Sequence, residues 1–489
     1  MKKKIWLAVV WLAAICCSVI LPACKPKTKN PVTTEPNGEE TKGHYVDAVP
    51  PIDYNGQNFV IVTSPRTWAH TEMVLNESDG DVIGNAIFER TLNVNARLNI
   101  NLRAKSTPGS ALSAARNDIF NNLYAYDLYV IYPHDALTLF QEGRFADQET
   151  IDSIDFGNPW WETNFNDEVN VSTAKYVTYN QSNLVLYSGF YLWAFNKSIV
   201  AGSNLDNPYE MIENNEWTWA NAYEMMKKVT TDVNSDGSAA IKDGDTFGLV
   251  GQVNHLQNLI LSSGETIGRR NSDGVLTYNG LSAGYVDAFE KFTNYFIASN
   301  ESAIASTDDF KGYTSSSGLA NYVNYFNEGK ALFLSTATNE VVSIRQSGVE
   351  YGVVVVPKYS AEQDEFITPV YKGVDGFAIP KRKDTDMMNI TGTVLETLGA
   401  YSYNNLIDLH IGNVLHYRAA NDPTAKEMID LAYSNPMIDV CLANNFGGCS
   451  DIIKGLNEKG NPNCTQVFRE NRRLIVDGIK KALQVSAGD

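Results

Sequence analysis

An α/β fold with largely parallel sheets is predicted for this chain, and three observations predict it. Short apolar runs of strand length alternate with longer segments whose apolar residues recur at helical spacing. The chain has 489 residues, enough for two or three domains that each bury a core. Its composition, 44% hydrophobic and 20% charged with 35 Gly and 17 Pro, is that of a globular protein and excludes collagen, coiled coil and wholly disordered chains.

The elements follow in order. Residues 58–63 (NFVIVT) read as a short buried strand and residues 83–98 as a helix. Residues 100–102 form a second strand, 110–123 a helix, and 128–132 (LYVIY) a third strand. In a second zone, residues 183–196 are extended and aromatic, 220–229 are helical behind a Thr218-Trp219 turn, and 247–250 are a strand. Residues 282–299 and 319–328 read as helices, 331–335 (ALFLS) and 353–356 (VVVV) as strands. Beyond residue 386 the pattern is mainly helical, near 387–401, 424–433 and 465–484. No internal repeat is present.

The front end is an address rather than a fold. Lys2, Lys3 and Lys4 precede a charge-free run from Ile5 to Ala23. It ends in Leu21-Pro22-Ala23-Cys24, which resembles the bacterial lipoprotein box, in which cleavage leaves a lipid-bearing cysteine at the new terminus. The expected organisation is a signal peptide over 1–23, lipidation at Cys24 and a flexible tether over 24–56, whose Pro, Thr, Lys and Glu cannot bury enough surface to order it. An uncleaved single-pass anchor is the rival reading. The folded body is expected outside the cytoplasmic membrane, anchored through lipid.

The formal charge is -18, and loss of the three leader lysines makes it -21. Phosphate binding needs clustered Lys and Arg, so nucleic acid is a poor partner. Cys441, Cys449 and Cys464 remain in the body; one disulfide would leave a thiol over, and their pairing stays open.

Several local patterns follow one another in a recognisable order: YDLYVIY at 126–132, FNKSIV at 195–200, NNEWTWANAYEMMKKVT at 214–230, DTFGLV at 245–250, FNEGKALFL at 326–334, YGVVVVPK at 351–358 and GFAIPKR at 376–382. Together they resemble the family 1 extracellular solute-binding proteins of ABC importers, the group that includes maltose-binding protein. The resemblance covers about residues 57–400. It implies two lobes of periplasmic-binding-protein-like type II, joined by crossover segments, with a ligand in the cleft and hinge closure around it. It further implies an N-terminal lobe of 57–190 plus 326–365 and a C-terminal lobe of 191–325 plus 366–489. The implied function is capture of a carbohydrate by a monomer that delivers it to an ABC permease, without catalysis and with no required cofactor.

Sugars stack their apolar faces on aromatic rings and exchange hydrogen bonds with Asp, Asn and Arg, and 25 of the residues are Tyr. The candidate ligand contacts are therefore residues just beyond strand ends. They are Ser64, Arg66 and Trp68 after the first strand, and Tyr132, His134 and Asp135 after the third. Tyr191 and Trp193 lie in the crossover stretch, Thr336 and Asn339 after the return strand, and Tyr371 and Asp375 before GFAIP. Trp160, Trp161, Trp217 and Trp219 read as core anchors, and Tyr322, Tyr325 and Phe326 as the buried stripe of a helix.

One loop has metal-ligand spacing. In DVNSDGSAAIKD, Asp232, Asn234, Asp236 and Asp243 stand at positions 1, 3, 5 and 12, Ser238 offers a carbonyl, and Gly237 permits the turn, which suits a structural calcium ion. The alternative is an Asn/Asp/Gly turn. Gly280-Leu-Ser-Ala-Gly284 matches the hydrolase nucleophile pattern, but the polar run before it is no buried strand and Ser282 suits a helix N-cap. A surface lipoprotein hydrolase and a glycan-capture protein without transport are the rival functions.

Overall fold

The computed structural model describes residues 47–66, 72–78, 80–108, 110–237, 239–305, 308–314, 319–344, 348–412 and 422–486. Cys24, Trp68 and Ser238 lie outside the described residues, as do the leader and most of the expected tether. No helix among the described residues is long and apolar enough to cross a membrane.

Thirteen strands are described. They are β1 (Gln57–Thr63), β2 (Ile100–Ser106), β3 (Leu128–Ile131), β4 (Tyr191–Asn196), β5 (Phe247–Gly251), β6 (Gly268–Arg270), β7 (Leu276–Tyr278), β8 (Ser302–Ile304), β9 (Ala331–Ala337), β10 (Tyr351–Val355), β11 (Thr368–Pro369), β12 (Gly376–Ala378) and β13 (Pro436–Met437). Two sheets carry the architecture. The first has the order β12-β3-β1-β2 and the second β10-β4-β9-β5-β8. In the first, β1 runs parallel to β2 and β3, and β12 closes it antiparallel. In the second, β5 is parallel to β8 and β9, while β4 runs antiparallel between β9 and β10.

The fold is therefore the α/β, two-lobed type II arrangement expected from the sequence, but the sheets are mixed rather than largely parallel, and they assign the return segments the other way round. β9 and β10 hydrogen-bond with β4, so residues 326–365 complete the second lobe and not the first. The chain returns to the first lobe at β12 and the long helix Thr385–Asn405, which packs on the helix Val82–Leu98. Both sets of strands are short and apolar, and apolar runs do not record which sheet they enter. The chain then reaches the helix Pro423–Ser434, which lies against β10.

Local chemistry sets the element ends. Asp81 caps the helix Val82–Leu98 by accepting from the backbone N–H groups of Ile83 and Gly84, and Asn99 ends it in the left-handed region. Ser282 accepts from the Tyr285 N–H at 3.1 Å, the helix-cap role expected for it. The aromatic stretch 183–196 is extended only in its second half: Leu184–Ser188 is a helical turn capped by Asn183, and β4 follows. Trp160, Trp161, Trp217 and Trp219 are buried, as are Tyr322, Tyr325 and Phe326.

Cys441, Cys449 and Cys464 are all free and buried. Their segment ties the lobes together. His134 of the first lobe meets the Asn444 carbonyl through Nδ1 at 2.8 Å, and Tyr176 donates to the Asn444 side chain at 3.2 Å. From the β6-β7 hairpin, the Arg270 guanidinium donates to the carbonyls of Asp167 (2.8 Å), Val171 (3.0 Å) and Asn170.

Candidate functional site

The parallel strands of both sheets point their carboxyl ends toward the crossovers, where backbone amides and loop side chains are left for a ligand. Two crossovers run side by side there. Phe190 pairs with Val370, Tyr371 N–H donates to the Gly189 carbonyl at 2.8 Å, and Thr338 N–H donates to the Phe190 carbonyl at 2.9 Å. Gly189 has to be glycine for space: a Cβ there would stand 2.7 Å from Val374 Cγ1.

A cavity of about 200 Å³ opens at this junction, lined by Ser188, Gly189, Tyr191, Gln252, Asn254, His255, Ala337, Asn339, Glu340 and Tyr371. Tyr191, Asn339 and Tyr371 are among the residues expected from the sequence. The second-lobe wall is a continuous hydrogen-bond chain. Tyr322 donates to Glu340 Oε1 at 2.7 Å, Gln252 Nε2 donates to the Tyr322 hydroxyl at 3.0 Å, and the same Nε2 meets His255 Nε2 at 2.6 Å. His255 Nδ1 faces the Ser335 carbonyl at 3.1 Å.

The first-lobe side is organised around an ion pair. Arg66 Nε and Nη2 donate to the two carboxylate oxygens of Asp375 at 2.9 and 3.1 Å, and the guanidinium lies 4.4 Å from the centre of the Tyr132 ring. Asp375 is buried and Arg66 is partly buried. Burial raises the Asp375 carboxyl above its ordinary range, against the opposing pull of Arg66. Burial likewise raises Asp135, with His134 and Arg66 opposing, and pushes the Tyr132 phenol up to about 12. Burial raises the Tyr371 phenol, with Arg66 opposing and Asp375 adding to it, so this lining residue lies near the pair.

The remaining expected residues fall elsewhere. Trp193 is wholly buried among Phe333 (5.2 Å between ring centres), Phe296 (5.6 Å) and Trp217 (6.0 Å). It is a core residue because β4 starts at the cavity with Tyr191, and two residues farther along the same face lies about 7 Å deeper. Thr336 is buried behind Glu340, with Oγ1 3.4 Å from Oε2. His134 is spent on the contact with Asn444. Ser64 is buried at the end of β1 with no hydrogen-bond partner for its hydroxyl among the described residues.

Five polar lining residues were missed: Gln252, Asn254, His255, Glu340 and Ser188. The rule that found the others, taking residues just beyond a strand, finds the first three when applied to β5. Glu340 follows Asn339 directly.

The Asp232–Asp243 loop lies away from the cavity. Asp232 accepts from the N–H groups of Asp236 (3.2 Å) and Gly237 (2.7 Å), and Asn234 from Asp236 at 3.0 Å. Among the described residues no three His, Cys, Asp or Glu side chains converge as a metal centre requires.

No family model matches the sequence, and no curated protein matches it. Solved structures do. The chain is similar to an ABC substrate-binding protein from Listeria monocytogenes in complex with cycloalternan, with 14% identity over 88% of this chain and 99% of that one and a TM-score of 0.53. A cyclic α-maltosyl-1,6-maltose binding protein from Arthrobacter globiformis matches at 11% identity over 87% and 99%, TM-score 0.55. UgpB from Mycobacterium tuberculosis, in complex with glycerophosphocholine, matches at 12% over 88% and 99%, TM-score 0.53. This chain has the two-lobed type II fold of the ABC solute-binding proteins.

Proposed function

We propose that the protein is an extracytoplasmic solute-binding protein that captures a carbohydrate in the crossover cavity and hands it to an ABC permease. The observation that carries this reading is the lining itself. Two tyrosines, Tyr191 and Tyr371, stand beside amide and carboxylate groups of Gln252, Asn254, Asn339 and Glu340. Rings of that kind stack on the C–H faces of a pyranose, and those polar groups pair with its hydroxyls. Two of the three similar structures described above carry or are named for oligosaccharides, which fits the same class. The cavity is smaller than the roughly 300–1,000 Å³ clefts that hold drug-sized ligands, so a short sugar suits it. Binding and release, without bond cleavage, complete the mechanism, with the crossovers as the hinge.

Calorimetry across mono- and oligosaccharides tests this. Saturable binding with no turnover is expected; hydrolysis of any sugar in the panel removes the reading. Membrane attachment through a lipid on Cys24 belongs to the same proposal, and mass spectrometry of the amino-terminal peptide from cells decides it. Calcium in the Asp232–Asp243 loop is a separate proposal resting on ligand spacing; a melting temperature equal in calcium and in chelator ends it.

A further inference from the structure

Resting on the carbohydrate reading, we infer that the cavity selects a sugar carrying a protonated amine over its neutral counterpart. A tyrosine hydroxyl has one proton to give, and that of Tyr322 goes to Glu340 Oε1 at 2.7 Å. Its oxygen must then accept, which fixes the amide nitrogen of Gln252, 3.0 Å away, as the donor. The second proton of the same nitrogen points at His255 Nε2, 2.6 Å distant, so that ring nitrogen is an acceptor. His255 Nδ1 faces a backbone carbonyl, which can only accept, and therefore carries the ring's proton. The imidazole is neutral in this arrangement.

The consequence falls on Glu340. Among the described residues its nearest basic group is His255 Nε2 at 3.6 Å, which this chain of donors leaves uncharged. No Lys or Arg lines the cavity among the described residues. Arg66, the cation on the facing side, is engaged with both oxygens of Asp375. Lys372, next to the lining residue Tyr371, lies instead among Cys449, Asp451 and Lys454. The cavity thus presents a carboxylate with two acceptor sites unused beyond Tyr322 and Thr336. An ammonium supplies the missing charge through a charge-assisted hydrogen bond, and the faces of Tyr191 and Tyr371 favour a cation beside them. A neutral hydroxyl can fill the same hydrogen bonds but leaves the charge uncompensated.

The test is titration calorimetry with D-glucosamine and D-galactosamine against D-glucose and D-galactose, and with the matching β-1,4-linked dimers, below the pKa of the amine. At least one amino sugar is expected to bind about tenfold or more tighter than its neutral counterpart, and in Glu340→Gln that ratio is expected to fall to within about twofold. The glutamine keeps an acceptor for Tyr322, so the variant should melt close to the parent, which a thermal scan checks. Neutral sugars binding as tightly as amino sugars, or a preference that survives in Glu340→Gln, overturns this inference while leaving sugar capture in place. If no sugar of either kind binds, the carbohydrate reading falls with it.

Discussion

The ion pair behind Tyr371, on the first-lobe side, and the second-lobe wall of the cavity bury charge in opposite ways. In the first lobe the Asp375 carboxylate is matched by a two-pronged guanidinium stacked on Tyr132, so the charge is settled within the protein. In the second lobe Glu340 is held by two hydroxyls and faces an imidazole acting as an acceptor, so its charge is left for whatever enters. The ion pair is a structural joint and, on the carbohydrate reading proposed above, the second-lobe wall is a recognition surface. A carboxylate near a ligand site therefore says little until its partners are known.

Removing one side of the joint has the largest expected effect. Asp375→Ala leaves the partly buried Arg66 without this carboxylate, and unfolding by denaturant at pH 8 is expected to show a loss of about 3 kcal/mol. A loss under about 1 kcal/mol would mean that the pair is no structural joint. Next in size is the crossover beside the cavity. Gly189→Val places methyl groups against Val374 and Tyr371, and the overpacking is expected to cost about 1–3 kcal/mol together with a weakened sugar affinity. Stability lost without any change in affinity would separate the crossover from the cavity.

Tyr371 lines the cavity near the ion pair, so Tyr371→Ala is expected to weaken sugar binding about tenfold while the melting temperature moves only a few degrees. Equal affinities by calorimetry would remove this ring from the ligand's path.

The smallest effect concerns the contact between the first lobe and the C-terminal segment. Burial pushes Glu168 up to about 7 despite a hydrogen bond from Ile438, and Asp439 up to about 6 despite several backbone donors. Both fold-state values lie above the unfolded ones, so the folded protein holds more protons between about pH 4 and 7, and stability falls as pH rises through that window. Each group contributes at most about 1.4 kcal/mol per pH unit. Melting scans from pH 5 to 7.5 should therefore decline, and Glu168→Gln should flatten the decline. An unchanged slope in that variant would assign the pH dependence to the other buried carboxyls, Asp439 and Asp375 among them, rather than to Glu168.

Much of this was legible beforehand because it is local. The apolar runs at β1, β3, β5 and β9 are strands, and Tyr191, Asn339 and Tyr371 reach the cavity because they sit at strand ends or crossovers. Trp193 was misplaced for an instructive reason. Alternation along a strand puts it on the same face as Tyr191, yet depth along that face is set by where the strand meets the neighbouring lobe. Nor could the sequence tell that β9 and β10 join β4 rather than β1, since pairing depends on partners far away along the chain.

The α/β class, the order of the elements and the supply of aromatic and amide groups at their ends are written locally, because periodicity and turn chemistry act between near neighbours. Tertiary structure alone decided which carboxylate is compensated. Arg66 and Asp375 meet, and Gln252, Tyr322 and Glu340 line up, only when distant segments are packed together, and the electrostatic state of a buried group is fixed by those neighbours and not by its place in the chain.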